Sequence, residues 1–207
     1  MKKIVALLMV SLLVISCRKE TTTPTPTPVP VTSAPATINS APQVSYSING
    51  VAVNPYISNG NTYMYGTGSI APVNTTTYST KQYSASIYNV KTSQVYLEID
   101  KGTLSFGALE PDSTTFKNYF TTGSIAYSVN AANGIQITMS DTGATWSTTN
   151  GSQTGSLFSI VATQEQWIAG NQYIKFLATF NCTLYDQNGL NPRRITNGVF
   201  LGYFENQ

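Results

Sequence analysis

The stretch Ile174-Lys175-Phe176-Leu177-Ala178-Thr179-Phe180-Asn181-Cys182-Thr183-Leu184-Tyr185 decides the fold class. Ile174, Phe176, Ala178, Phe180, Cys182 and Leu184 share one phase. Lys175, Thr179, Asn181, Thr183 and Tyr185 share the other, with Leu177 as the exception. Successive side chains of a strand point to opposite faces, so a period of two predicts a strand with one buried and one largely wet face.

The same pattern extends outward. A turn at Asp186-Gln187-Asn188-Gly189 leads to a return strand over residues 195–204. Upstream, Val95, Leu97 and Ile99 alternate with Tyr96, Glu98 and Asp100, and Ile125, Tyr127 and Val129 with Ala126 and Ser128. A turn at Asn133-Gly134 precedes Ile135, Ile137 and Met139. Asn49-Gly50 between Tyr46-Ser47-Ile48 and Val51-Ala52-Val53 is a strong hairpin signal, because both turn residues tolerate positive φ. No segment repeats apolar residues at helical spacing over four turns. Short helices are expected near residues 113–119 and 163–168. Many short strands with Gly/Asn turns predict an all-β, antiparallel two-sheet sandwich, with a partly closed barrel as the alternative.

The N-terminus reads as an address. Lys2 and Lys3 precede an apolar run over residues 4–15, interrupted only by Ser11. A membrane-spanning helix needs about 20 apolar residues, so this run suits a secretory signal instead. It ends Leu13-Val14-Ile15-Ser16-Cys17, which resembles a bacterial lipobox, in which the Cys receives a diacylglycerol and the peptide is cut before it. The expected organisation is a signal peptide at 1–16, a lipidated Cys17 opening a Pro/Thr-rich linker at 17–43, and a β domain at 44–207. The linker is too proline-rich to fold and favours extended polyproline II. Each buried methylene of an acyl chain stabilises attachment by about 0.8 kcal/mol, so two or three chains would hold the protein on the membrane without a span.

Charge and cysteine usage exclude several classes. The formal charge is +2. Without Lys2 and Lys3, nine basic residues face nine acids, and there is no Lys/Arg stripe. Nucleic-acid binding rests on neutralising phosphates and is not expected. With Cys17 consumed by lipid, Cys182 has no partner. Its place on the apolar phase predicts an inert core thiol rather than a nucleophile.

The chain contains no histidine. It therefore lacks the usual general base, the commonest metal ligand and the partner of most Ser or Cys nucleophiles. No catalytic residue, metal site or cofactor is expected. Paired carboxylates could act on glycosides without histidine. The candidates are Glu98 with Asp100, on one face of one strand, and Glu110 with Asp112, in a Pro-containing turn; solvated acids are the preferred reading. Asp186-Gln187-Asn188-Gly189-Leu190-Asn191 offers oxygen donors at alternate positions but lacks the acids of a calcium loop, so a hairpin turn is preferred.

Thirteen tyrosines suggest a binding surface, because Tyr and Trp combine a flat apolar body with a polar tip. β-propensity explains many of them equally well. The candidates for ligand contact are Trp146, Trp167, Tyr63, Tyr65 and Tyr88.

The lipobox, the Thr/Pro linker, the Tyr46-Ser47-Ile48-Asn49-Gly50 hairpin and the closing run from Phe180 to Tyr185, followed by Ile195-Thr196-Asn197-Gly198-Val199-Phe200, together resemble a group of small Bacteroidota all-β lipoproteins of unknown function. The resemblance implies a cell-envelope protein, expected in the outer membrane, and assigns no activity; Cys17-Arg18-Lys19-Glu20 resembles in part the Lys- and acid-containing signal that sends such lipoproteins to the cell surface. Asp112-Ser113-Thr114 resembles the short O-glycosylation acceptor pattern of exported proteins in that phylum. The expected function is non-enzymatic binding of a ligand or partner, a glycan or an envelope protein. A structural or assembly role in the envelope is the alternative, and a carboxylate-based hydrolase ranks third.

Overall fold

The computed structural model describes residues 35–53, 63–75, 78–89, 94–108, 110–128, 134–141 and 143–206. Their strands form two antiparallel sheets. Six strands make sheet A: β1 (Gln43–Ile48), β2 (Val51–Val53), β6 (Gly123–Ser124), β9 (Leu157–Ile168), β10 (Asn171–Leu184) and β11 (Arg193–Asn206), in the order β2-β1-β11-β10-β9-β6. Five make sheet B: β3 (Tyr63–Thr75), β4 (Tyr78–Asn89), β5 (Gln94–Phe106), β7 (Ile135–Asp141) and β8 (Ala144–Ser147), in the order β3-β4-β5-β7-β8. The fold is the expected all-β two-sheet sandwich, with no closed barrel.

Sheet A is built around β10, whose side chains alternate between the core and the outer face. Ile174, Phe176, Ala178, Phe180, Cys182 and Leu184 are all buried in the core. From sheet B, Ala85, Ile87, Leu97, Ile99, Ile135, Ile137 and Met139 meet them. The hydroxyl of Tyr46 donates to Met139 Sδ across the two layers. Stacked rings, Phe120 on Phe204 and Phe204 on Phe176, run through the middle. Fully burying such a side chain stabilises the fold by about 1.5–3 kcal/mol, so this core can support the domain without a disulfide.

Backbone bonds tie the two sheets together at their margins. Ser147 of β8 and Tyr185, just past β10, exchange both hydrogen bonds, at 2.8 and 3.0 Å. Residues 123–128 begin in sheet A and end against sheet B: Ile125 N–H donates to Phe158, and Ser128 N–H to Ile135. The alternation read at Ile125 and Tyr127 therefore belongs to a chain switching sheets. Val129 lies outside the described residues.

The helix expected at 113–119 is present as α1 (Ser113–Tyr119). Asp112 caps it, its carboxylate accepting from Thr114 and Thr115, which holds that carboxyl below the usual range. Phe116 and Phe120 anchor α1 in the core. Lys101 points inward from β5, and its ammonium lies 3.4 Å above the Tyr119 ring. Burial pulls that ammonium down to about 8. Lys81, also buried, pairs with Glu110.

The helix expected near residues 163–168 is instead the second half of β9. Thr163, Glu165 and Trp167 stand opposite Phe176, Ile174 and Gln172, on the core-facing side. There Glu165 pairs with Lys117 of α1 and accepts from Gln172. A polar inward phase erased the alternation that would have marked a strand.

Residues 35–42 precede β1 and carry a turn in which Ser40 N–H donates to Thr37. The ammonium of Lys175 donates to the Ser40 carbonyl at 2.8 Å. Lys175, Leu177, Leu201 and Tyr203 lie on the outer phase of β10 and β11, yet all are buried. The bond from Lys175 to Ser40 ties residues 35–42 to the outer face of sheet A, where Leu177, Leu201 and Tyr203 form a buried apolar patch. Among the described residues no helix is long and apolar enough to cross a membrane.

Candidate functional site

Beyond that patch the outer face of sheet A is open. Since Phe158, Ile160, Ala178, Phe180 and Phe200 point inward, the pleat turns Leu157, Ser159, Thr179, Asn181 and Val199 outward. They line a groove of about 500 Å³, completed by Ser124 and Asn197.

The register aligns part of this lining into a row across four strands, which Ser45 extends to a fifth. Ser124 of β6 stands opposite Ser159 of β9, Ser159 opposite Thr179 of β10, Thr179 opposite Val199 of β11, and Val199 opposite Ser45 of β1. Neighbouring strands lie about 4.8 Å apart, so the row spans roughly 19 Å at right angles to the chains.

A bulge shapes the groove. Asn197 adopts φ 53°, and the register of β11 shifts there against both β10 and β1. Such a bulge bends the strand and re-aims the extra side chain. On the floor, the Tyr127 hydroxyl donates to the Asn181 carbonyl at 3.0 Å, and Asn181 Oδ1 accepts from Leu157 N–H at 2.9 Å. The second bond fixes β9 against β10 where the groove begins, and the first ties the segment after β6 to β10. Behind them lies Cys182, its thiol pushed up to about 12 by burial, as expected of a core cysteine.

The lining carries no charge. The side chains of Ser124, Ser159, Thr179 and Asn197 make no hydrogen bond to other described residues. Their donors and acceptors are available to a ligand.

Comparison with protein-family models, with curated proteins and with solved structures finds no match for this chain.

The residues singled out in the sequence occupy other places. Trp146 lies inside the sandwich, 8% exposed, with the Arg193 guanidinium 3.3 Å above its ring. Trp167 is 61% exposed, but on the core-facing side of β9 near α1, roughly 25 Å along the strand from the groove. Tyr88 is half-buried on β4 of sheet B. Tyr63 and Tyr65 pair in register with Asn89 and Ile87, and their side chains lie outside the described residues, as does Cys17. The fold does not gather Trp146, Trp167 and Tyr88 into one platform. The groove residues were readable only as the wet phase of β10; the one further hint was Asn197-Gly198 interrupting a strand.

Three other polar groupings lie outside the groove lining. Glu98 and Asp100 share the outer face of β5, flanked by Ser86 and Ser84 on β4 and by Thr138 and Gln136 on β7. Their carboxyls are close enough to interact. Burial, then the neighbouring Glu98 charge, pushes Asp100 up to about 7, and burial also raises Glu98. Glu110 and Asp112 are occupied separately, by Lys81 and by the α1 cap. Asp186 accepts from Asn188, Leu190 and Asn191, which makes its loop a closed turn.

Proposed function

We propose that this chain is an exported protein of the cell envelope, lipidated on Cys17 in the outer membrane, that acts by binding rather than by catalysis. Its ligand site is the groove on the outer face of sheet A. The observation that carries this reading is a concave uncharged strip in which the side chains of Ser124, Ser159, Thr179 and Asn197 make no hydrogen bond to other described residues. The Lys2-Lys3 flank, the short apolar run and Ser16-Cys17 support export and lipidation.

The test has two parts. Cys17→Ser should leave the precursor uncleaved and abolish incorporation of labelled palmitate; normal processing and labelling would refute the anchor. Thr179→Arg and Ser159→Arg should abolish capture of a ligand on a glycan array or from envelope extracts. Capture by these variants equal to that of the unaltered chain would refute the groove.

A further inference from the structure

We infer that the groove takes an extended, uncharged glycan lying across the strands, with successive sugars seated on successive strands of the row. This rests on the reading of the groove as the ligand site and adds the class and direction of the ligand.

The absence of charge selects against ions. A phosphate, carboxylate or ammonium seated here would lose hydration and find no counter-charge, a cost of several kcal/mol for each ion fully removed from water. Ser and Thr hydroxyls and the Asn carboxamide donate and accept with equal ease, which matches sugar hydroxyls.

Direction follows from the backbone. An extended peptide usually binds a sheet by pairing with an exposed edge. Most of the lining comes from β9, β10 and β11, each paired on both sides, and the edge strand β6 beside them is only Gly123–Ser124, too short to template a peptide strand. What the face presents is a side-chain row that repeats every 4.7–4.9 Å across the strands. That is close to the rise per sugar of an extended β-linked glycan. Ser124, Ser159, Thr179 and Ser45 mark four of its five places, and Val199 the fifth. Leu157, 65% exposed beside the row, offers an aliphatic surface to the C–H face of a sugar ring.

The experiment is calorimetric titration of the full chain in detergent with unbranched neutral oligosaccharides, cello-, xylo- and β-1,3-gluco-, of two to six sugars. For at least one series, affinity should rise at least tenfold between two sugars and four or five, then level off. Thr179→Arg and Ser159→Arg, both on the outer face, should lower it more than tenfold without changing the melting temperature. Polygalacturonate and heparin should not bind. If no neutral oligosaccharide binds, while a captured protein or peptide is lost on Thr179→Arg, the glycan inference fails and the groove stands. If binding of any ligand is indifferent to both arginines, the groove reading fails as well.

Discussion

Phe180 fills the space that Gly198 leaves open. The two residues are direct partners across β10 and β11, and a Cβ built on Gly198 would stand 2.6 Å from the Phe180 ring. The ring forms part of the core beneath the groove, so this one contact couples packing to the shape of the binding face.

Gly198→Ala should therefore destabilise the domain by roughly 1–3 kcal/mol, as overpacking does. Urea unfolding would measure it. In a Phe180→Leu background the same change should cost about half as much, because the smaller side chain can yield. Equal costs in both backgrounds would show that the two residues are not coupled.

The Glu98–Asp100 pair gives an unusual dependence on pH. Asp100 sits near 7 in the folded protein and near 3.9 in the unfolded chain. Between those values the folded state binds more protons, so stability falls as pH rises through the window from about 4 to 7. Guanidinium unfolding should find the protein more stable at pH 5 than at pH 8. Asp100→Asn should flatten the profile and add roughly 1–3 kcal/mol at pH 8, solvent screening being allowed for. A variant as pH-dependent as the original would contradict the pairing.

Residues 35–42 should belong to the folded unit. Lys175 holds Ser40, and Leu177, Leu201 and Tyr203 are buried on the same outer face. Joining Ala34 directly to Gln43 in the full chain should lower stability by roughly 1–3 kcal/mol, through exposed apolar surface and an unbonded Lys175, and should raise binding of a hydrophobic dye. An unchanged melting curve would mean that this segment contributes nothing.

Cys182 should resist thiol reagents. Its thiol is raised to about 12 and is 2% exposed. At pH 8 alkylation by iodoacetamide should be ~1,000-fold slower than in concentrated guanidinium. Rapid labelling of the native protein at this position, located by peptide mass analysis, would place the thiol at the surface.

Legibility of the fold tracks burial. Alternation located β10, β11, β5 and β7, since each has one face in the core. It failed over β9, where Thr163, Glu165 and Trp167 face inward at a margin occupied by polar partners. The inward Lys101 was equally hidden, since the Tyr119 ring that receives its ammonium comes from α1, 18 residues further along the chain.

The sequence by itself determined which side chains of each main strand turn inward, because a period of two is a local property that one face in water makes visible. It could not determine which outward residues become neighbours. Ser45, Ser124, Ser159, Thr179 and Val199 are aligned by strand order and register, and a slip of one residue in any strand would break the row. That lateral order is set by the long-range pairing of strands and by the bulge at Asn197, and so exists only in the folded protein.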